Sequence, residues 1–253
     1  MNNILKIKDL SKTYVTKSGC VEALKNVNLD IKDGEIIGII GNSGCGKSTL
    51  MSILAKLDKE TSGSIECIKD DYVVGYMMQN DGLFPWLTIL DNATLGLKIK
   101  KQKTKENVEY VKKLLETYGL KDFMYKYPNS LSGGMKQRVA LIRTLAIKPD
   151  ILLLDEPFSA LDYQTRQKVT DDVYEIIKRE KKTAIMVTHD LGEAIIMSKR
   201  VIMLTKRPAT IKDDVKIEFE NKDIEIIGKK AVEAFGFNSF LFQLTDHFPW
   251  WSL

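Results

Sequence analysis

Gly41-Asn42-Ser43-Gly44-Cys45-Gly46-Lys47-Ser48-Thr49 follows directly on the apolar run Ile36-Ile37-Gly38-Ile39-Ile40. A strand that ends in closely spaced glycines, a lysine and adjacent hydroxyls is built to hold phosphate. Glycine permits backbone conformations that a side chain forbids, so successive N–H groups can turn inward toward phosphate oxygens. A helix that begins inside the loop adds its positive end. The spacing G-x-x-x-x-G-K-[ST] is met by Gly41, Gly46, Lys47 and Ser48. It assigns Lys47 to the β and γ phosphates and Ser48 to a Mg²⁺ ion. The helix should continue through residues 50–57, whose apolar positions recur at helical spacing.

Around this loop the chain alternates. Residues 4–7, 27–31, 35–40 and 73–77 read as strands, separated by polar turns such as Lys32-Asp33-Gly34. From about residue 80 to 147 the pattern is helical; residues 104–118 carry Val108, Val111, Leu114, Leu115 and Tyr118 on one face. After Pro149, short fully apolar runs at 151–154 and 183–187 suit strands buried on both faces of a parallel sheet. The reading is an α/β core with a helical segment inserted in its middle.

Composition narrows the class. The 253 residues are 44% hydrophobic and 28% charged, ordinary for a globular protein with a sizeable core. The net charge of +4 is mild, so no nucleic-acid partner is expected. No apolar run approaches the roughly 18 residues that cross a bilayer. The start of the chain lacks the apolar core of a signal peptide, and Cys20, Cys45 and Cys67 form no CxxC pair. The expectation is a cytoplasmic chain without disulfides or zinc.

A phosphate-bound metal needs an acidic partner. Ile151-Leu152-Leu153-Leu154-Asp155-Glu156 supplies two carboxylates at the end of a buried strand, costly unless a cation uses them. Asp155 would steady Mg²⁺ beside the phosphate loop, and Glu156 could polarise an attacking water. A guanine-nucleotide enzyme should carry N-K-x-D, and Asn221-Lys222-Asp223-Ile224 fails at its last position. Asn129-Ser130-Leu131-Ser132-Gly133-Gly134-Met135-Lys136-Gln137-Arg138 is more decisive. Ser132 is a good helix N-cap, and Gly133 and Gly134 leave N–H groups uncovered at a second anion cradle. Two copies packed head to tail would each close the other's nucleotide.

Across residues 2–215 the chain resembles the ATP-binding subunit of ABC transporters. Residues 41–49 resemble the Walker A loop, Gln79 the Q-loop glutamine and residues 131–135 the signature motif. Asp155 and Glu156 resemble Walker B and the catalytic glutamate, Ser159-Ala160-Leu161-Asp162 the D-loop, and His189 the switch histidine. The resemblance implies an α/β fold: a P-loop NTPase (RecA-like) core with an N-terminal antiparallel β subdomain and an inserted helical subdomain. The core would span 1–79 and 147–230, the helical signature subdomain 80–146, and an aromatic tail without a motif 231–253. ATP and Mg²⁺ are the implied cofactors. Lys47, Gln79, Glu156 and His189 would act in catalysis, and Ser48, Gln79 and Asp155 on the metal. Residues 41–49 with Ser132, Gly133 and Gly134 would hold nucleotide. Tyr14 fits the aromatic that stacks on adenine, or is a packed strand tyrosine. Cys45 is either a reactive thiol at a helix N-terminus, open to alkylation unless MgATP protects it, or a small filler of the loop.

The pattern Gln79…Leu83-Phe84-Pro85-Trp86-Leu87-Thr88…Asp91-Asn92 is similar to the nitrate/sulfonate/taurine importer branch, and Lys206-Arg207-Pro208-Ala209-Thr210 points the same way. The implied partners are a second copy, integral-membrane permease subunits docking near Phe84, Pro85 and Trp86, and indirectly an extracellular substrate-binding protein. The chain would then lie peripherally on the cytoplasmic face of the membrane. Phe84, Pro85 and Trp86 are alternatively internal packing of the helical insert. Two other functions remain open: import of a thiamine pyrimidine precursor, and a non-transport ABC ATPase acting on nucleic acid or ribosomes. The lysine-rich run 98–105 reads as a solvated face, with weak attraction to anionic lipid as the alternative.

Overall fold

The computed structural model describes residues 2–17, 19–69 and 71–217. The aromatic tail, His247 and Asn221 to Ile224 lie outside the described residues. The described residues form two compact units: those before residue 70 with 183–217, and 71–182.

In the first unit, β1 (Asn3–Thr16) pairs antiparallel with β2 (Gly19–Lys32) and with β4 (Ser62–Cys67). In β2, Val27, Leu29 and Ile31 are buried while Asn28, Asp30 and Lys32 are exposed, the period-two pattern of a strand with one wet face. β1 and β2 run much further than the short segments expected. A bulge between Ile7 and Leu10 lets the ladder continue past the polar stretch. At the bulge Asn28 Nδ2 donates to Asp9 Oδ1 at 3.0 Å, and the Asp9 N–H donates to Asn28 Oδ1 at 2.9 Å.

The same unit holds β3 (Ile36–Ile40), parallel to β7 (Thr183–Thr188) on one side and β8 (Arg200–Leu204) on the other; β9 (Ile211–Lys216) closes antiparallel on β8. β3 and β7 are buried at every position, as central parallel strands are. α1 (Lys47–Leu54) leaves β3 through the glycine loop, and α6 (Leu191–Met197) follows β7. α1 is shorter than expected. Lys56 turns to φ 59°, and Leu57 is 70% exposed, so the helix ends at Leu54.

In the second unit, β5 (Val74–Met77) pairs parallel with β6 (Ile151–Asp155). Four helices accompany them: α2 (Ile89–Ile99), α3 (Lys105–Thr117), α4 (Gly133–Ala146) and α5 (Tyr163–Arg179). α3 buries Val111, Leu114 and Leu115, with Val108 and Tyr118 partly covered, on the face its periodicity marks. Among the described residues, no helix is long and apolar enough to cross a membrane.

Helix starts are locally encoded. Thr88, Thr104, Ser132, Asp162 and Asp190 cap α2 to α6, each side chain accepting the N–H three residues on. α1 alone among these six has no such cap: its N-cap is Gly46.

Candidate nucleotide site

The uncapped α1 is where an anion is wanted. Its first N–H groups lack intrahelical partners, and its dipole favours negative charge there. Gly44 and Gly46 stand at φ 72° and 135°, and a Cβ on Gly46 would lie 2.8 Å from the Ala23 carbonyl oxygen. The Cys45 N–H donates to Asn42 O at 3.1 Å and tightens the turn. Lys47 is only 5% exposed; its Nζ donates to Gly41 O at 2.7 Å and Asn42 O at 3.1 Å. The ammonium is thus held inside the loop by neutral carbonyls, partners that a phosphate can replace. Ser48 is exposed and Thr49 half-buried. Cys45 is 3% exposed, packed where a Gly41 Cβ would come within 2.8 Å of its Sγ. Its burial favours the loop-filler reading of the two that the sequence left open.

Parallel pairing brings more groups to this strand end. Ile40 is level with Thr188 of β7 and Met203 of β8, so the segments after both strands flank the loop. After β7 comes exposed His189, on a locked turn: the Asp190 N–H donates to Thr188 Oγ1 (3.0 Å), Thr188 Oγ1 to Glu193 Oε2 (2.6 Å), and the Glu193 N–H to Asp190 Oδ1 (3.1 Å). After β8 comes Arg207, whose guanidinium donates to Gly44 O at 2.7 Å. Sequence reading took the run 206–210 as a branch marker and missed this contact. The signal available was a basic residue following a strand parallel to β3. Tyr14 sits on β1 with its hydroxyl donating to Asp58 Oδ2 at 2.8 Å and Lys12 Nζ 4.8 Å above its ring. The hydrogen bond from Lys12, then that from Tyr14, holds the Asp58 carboxyl below the usual carboxylate range.

The acids belong to the second unit. Asp155 ends β6, and its Oδ2 accepts the Tyr76 hydroxyl at 2.9 Å. Burial first, and then this carboxylate, push the Tyr76 phenol far above its ordinary value. Glu156 follows at φ 44°, a left-handed conformation that costs a side-chain-bearing residue on the order of 1 kcal/mol or more. Ser159 holds it, its N–H and hydroxyl both donating to Glu156 O. Gln79 Nε2 donates weakly to Glu156 Oε2 at 3.4 Å. Ser132 and Gly133 lie exposed at the start of α4, with Gly134 buried behind them; Ser132 Oγ accepts the Met135 N–H at 3.4 Å.

Beyond Gln79 the chain turns outward. Phe84 and Trp86 are 38% and 70% exposed with ring centroids 5.2 Å apart, and Pro85 between them is exposed too. Internal packing does not explain these three. The loop is nevertheless firmly held. Asn92, fully buried, accepts the Phe84 N–H and donates to the carbonyls of Phe84, Leu87 and Thr88. Arg143 donates to the carbonyls of Asp81 and Gly82.

Residues 24–159 match the ABC transporter family. The chain belongs to that family. It is 42% identical to a nitrate import ATP-binding protein of Synechocystis, over 84% of this chain and 82% of the relative. It is 35% identical to an aliphatic sulfonates import ATP-binding protein of Bacillus cereus, over 93% and 97%. Among solved structures, the dimeric post-hydrolysis state of an ATP-binding cassette bound to ADP and Pi superposes with TM-score 0.71 at 35% identity, covering 85% of this chain and 100% of that one. As an ABC cassette the chain binds and hydrolyses ATP, and its fold is the mixed α/β P-loop type with an antiparallel β sheet. The donor types fit a magnesium nucleotide. The hydroxyl, carboxylate and amide oxygens of Ser48, Asp155 and Gln79, the residues expected on the metal, are hard donors by type, and Mg²⁺ is usually held by one or two carboxylates plus substrate phosphates rather than by a protein cage. Among the described residues, no group of three or more His, Cys, Asp or Glu that could hold a metal ion occurs.

Proposed function

We propose that the chain is the motor subunit of an ABC importer for a small solute of the nitrate, sulfonate or taurine type. It would work as a head-to-tail pair on the cytoplasmic face of the membrane, docked on permease subunits that receive solute from an external binding protein. The observation that carries this reading is the rigid loop after Gln79. It presents Phe84, Pro85 and Trp86 to solvent, while Gln79 just before it touches Glu156. Large exposed aromatics on a fixed loop are interface anchors. The segment 124–127 lies alongside, because the Ile89 N–H donates to Lys126 O and the Leu90 N–H to Met124 O. That segment carries two further exposed aromatics, Tyr125 and Tyr127. Similarity to nitrate and sulfonates import proteins supports the solute class.

In the working cycle, the N–H groups of residues 43–49 bind the β and γ phosphates, and Lys47 exchanges its carbonyl partners for them. Tyr14 offers its ring to adenine. His189 meets the γ phosphate, and Glu156 orients and polarises the attacking water. The partner subunit's Ser132, Gly133 and Gly134 close the site. Ser48, Asp155 and Gln79 would hold Mg²⁺, which when bound supplies positive charge across the β and γ phosphates. Transfer of the γ phosphoryl is mostly a matter of positioning and electrostatics, so these side chains act by where they stand. Gln79 links that chemistry to the docking loop.

Affinity purification of the tagged chain from gently solubilised native membranes, in buffer without ATP, tests the reading. A polytopic membrane protein should co-purify and be lost from the Trp86→Ala variant. Recovery with nucleic acid or ribosomal proteins alone would overturn the importer.

A further inference from the structure

The segment from β5 to Gln79 touches both adjacent acids. Tyr76 donates to Asp155 Oδ2 at 2.9 Å, and three residues later Gln79 donates to Glu156 Oε2 at 3.4 Å. β5 is parallel to β6 and in register, Tyr76 level with Leu153. Its hydroxyl therefore reaches forward two positions along the neighbouring strand to the carboxylate at that strand's end. The tyrosine is half-buried, and the bond has an ordinary hydrogen-bond length. Nothing in the spacing of the phosphate-site motifs marks Tyr76, and the mechanism above does not use it.

We infer that Tyr76 is a positioning residue for the metal site: its hydroxyl engages one oxygen of the Asp155 carboxylate and helps fix the orientation in which that carboxylate would meet Mg²⁺ or its water. This rests on the reading of Asp155 as the metal's acidic partner. A carboxylate at the end of a strand has two free side-chain torsions. A donor carried by the neighbouring parallel strand narrows that freedom before the metal arrives. Outer partners of metal ligands act in this way, and their loss typically costs on the order of 10–100-fold in metal affinity or activity. Phenylalanine at this position keeps the ring and removes only the donor.

The test is a Mg²⁺ titration of fluorescent ATP-analogue binding to the full-length chain, in wild type, Tyr76→Phe and Asp155→Asn, with parallel measurements in EDTA. Tyr76→Phe should raise the Mg²⁺ concentration at half-saturation by roughly tenfold. Its nucleotide affinity in EDTA and its thermal midpoint should stay at wild-type values. A Tyr76→Phe titration that overlays wild type, while Asp155→Asn is shifted, would overturn the role of Tyr76 alone. An unshifted Asp155→Asn would overturn the metal reading of Asp155 beneath it. Equal weakening of Tyr76→Phe with and without Mg²⁺ would make Tyr76 a packing residue, and would overturn the inference as well.

Discussion

Glu156 pays for its place with backbone strain, standing at φ 44° between two ordered neighbours. Glu156→Gln keeps the shape and removes the charge. It should retain ATP binding, lose about 10²–10⁴ in turnover as loss of a positioned base does, and accumulate as an ATP-bound dimer. Steady-state ATPase assays with size-exclusion chromatography in MgATP check this, and an active, monomeric variant would show that another group positions the water. Lys47→Ala removes the buried ammonium from the loop and should abolish nucleotide binding itself, as read by fluorescent-analogue titration. Arg207 is the new residue at this scale. Its bond to Gly44 O braces the loop from outside, and Arg207→Ala should weaken ATP binding about fivefold, the effect of one modest hydrogen bond. Equal affinities in the two proteins would make that contact incidental.

α4 approaches its neighbours closely because it begins with glycine. A Cβ on Gly134 would lie 2.5 Å from Val169 Cγ2, whereas one on Gly133 would meet only the end of Leu161 at 2.9 Å. Val169 belongs to α5 and is stiff at χ1. Gly134→Ala should therefore cost about 1–3 kcal/mol, as overpacking does, and Gly133→Ala clearly less. Thermal unfolding without nucleotide separates them; the reverse ranking would mean that α4 and α5 shift apart easily. Asn92 is the corresponding device for the loop before α2. Asn92→Ala removes the partner of the Phe84 N–H and of the Leu87 carbonyl, while the carbonyls of Phe84 and Thr88 keep the backbone N–H groups of residues 87 and 92; it should cost about 2 kcal/mol or more, visible as a lower thermal midpoint. The start of α4 was legible at Ser132 because a cap is a contact between neighbours in sequence. The ends of α1, β1 and β2 were not. Where α1 stops depends on Lys56 adopting a positive φ, and β1 and β2 continue because a bulge absorbs polar residues that would otherwise interrupt them.

At the scale of the molecule, several carboxylates lie below their usual range: Asp58 through hydrogen bonds from Lys12 and Tyr14, Asp91 chiefly through Thr88, and Asp162 through the backbone N–H of Thr165. A depressed folded-state pKa contributes stability that is complete above the unfolded value of about 3.9 and is lost as pH falls through the folded value. The thermal midpoint should hold at mildly acidic pH and drop below about pH 4, with Asp58→Asn flattening the drop; an unchanged midpoint down to about pH 3 would show these carboxylates to be uncoupled from folding. The chain's own order of residues determined the phosphate loop, the buried acid-tipped strand, the capped helix starts and the α/β alternation. Each of these is a matter of backbone freedom or spacing within about ten residues. Tertiary structure alone decided that Cys45 is sealed, that Arg207 reaches Gly44, that Tyr76 holds Asp155 and that Phe84 and Trp86 face outward. Those facts depend on which strands lie side by side and in what register, and register is set by burying apolar faces drawn from distant parts of the chain.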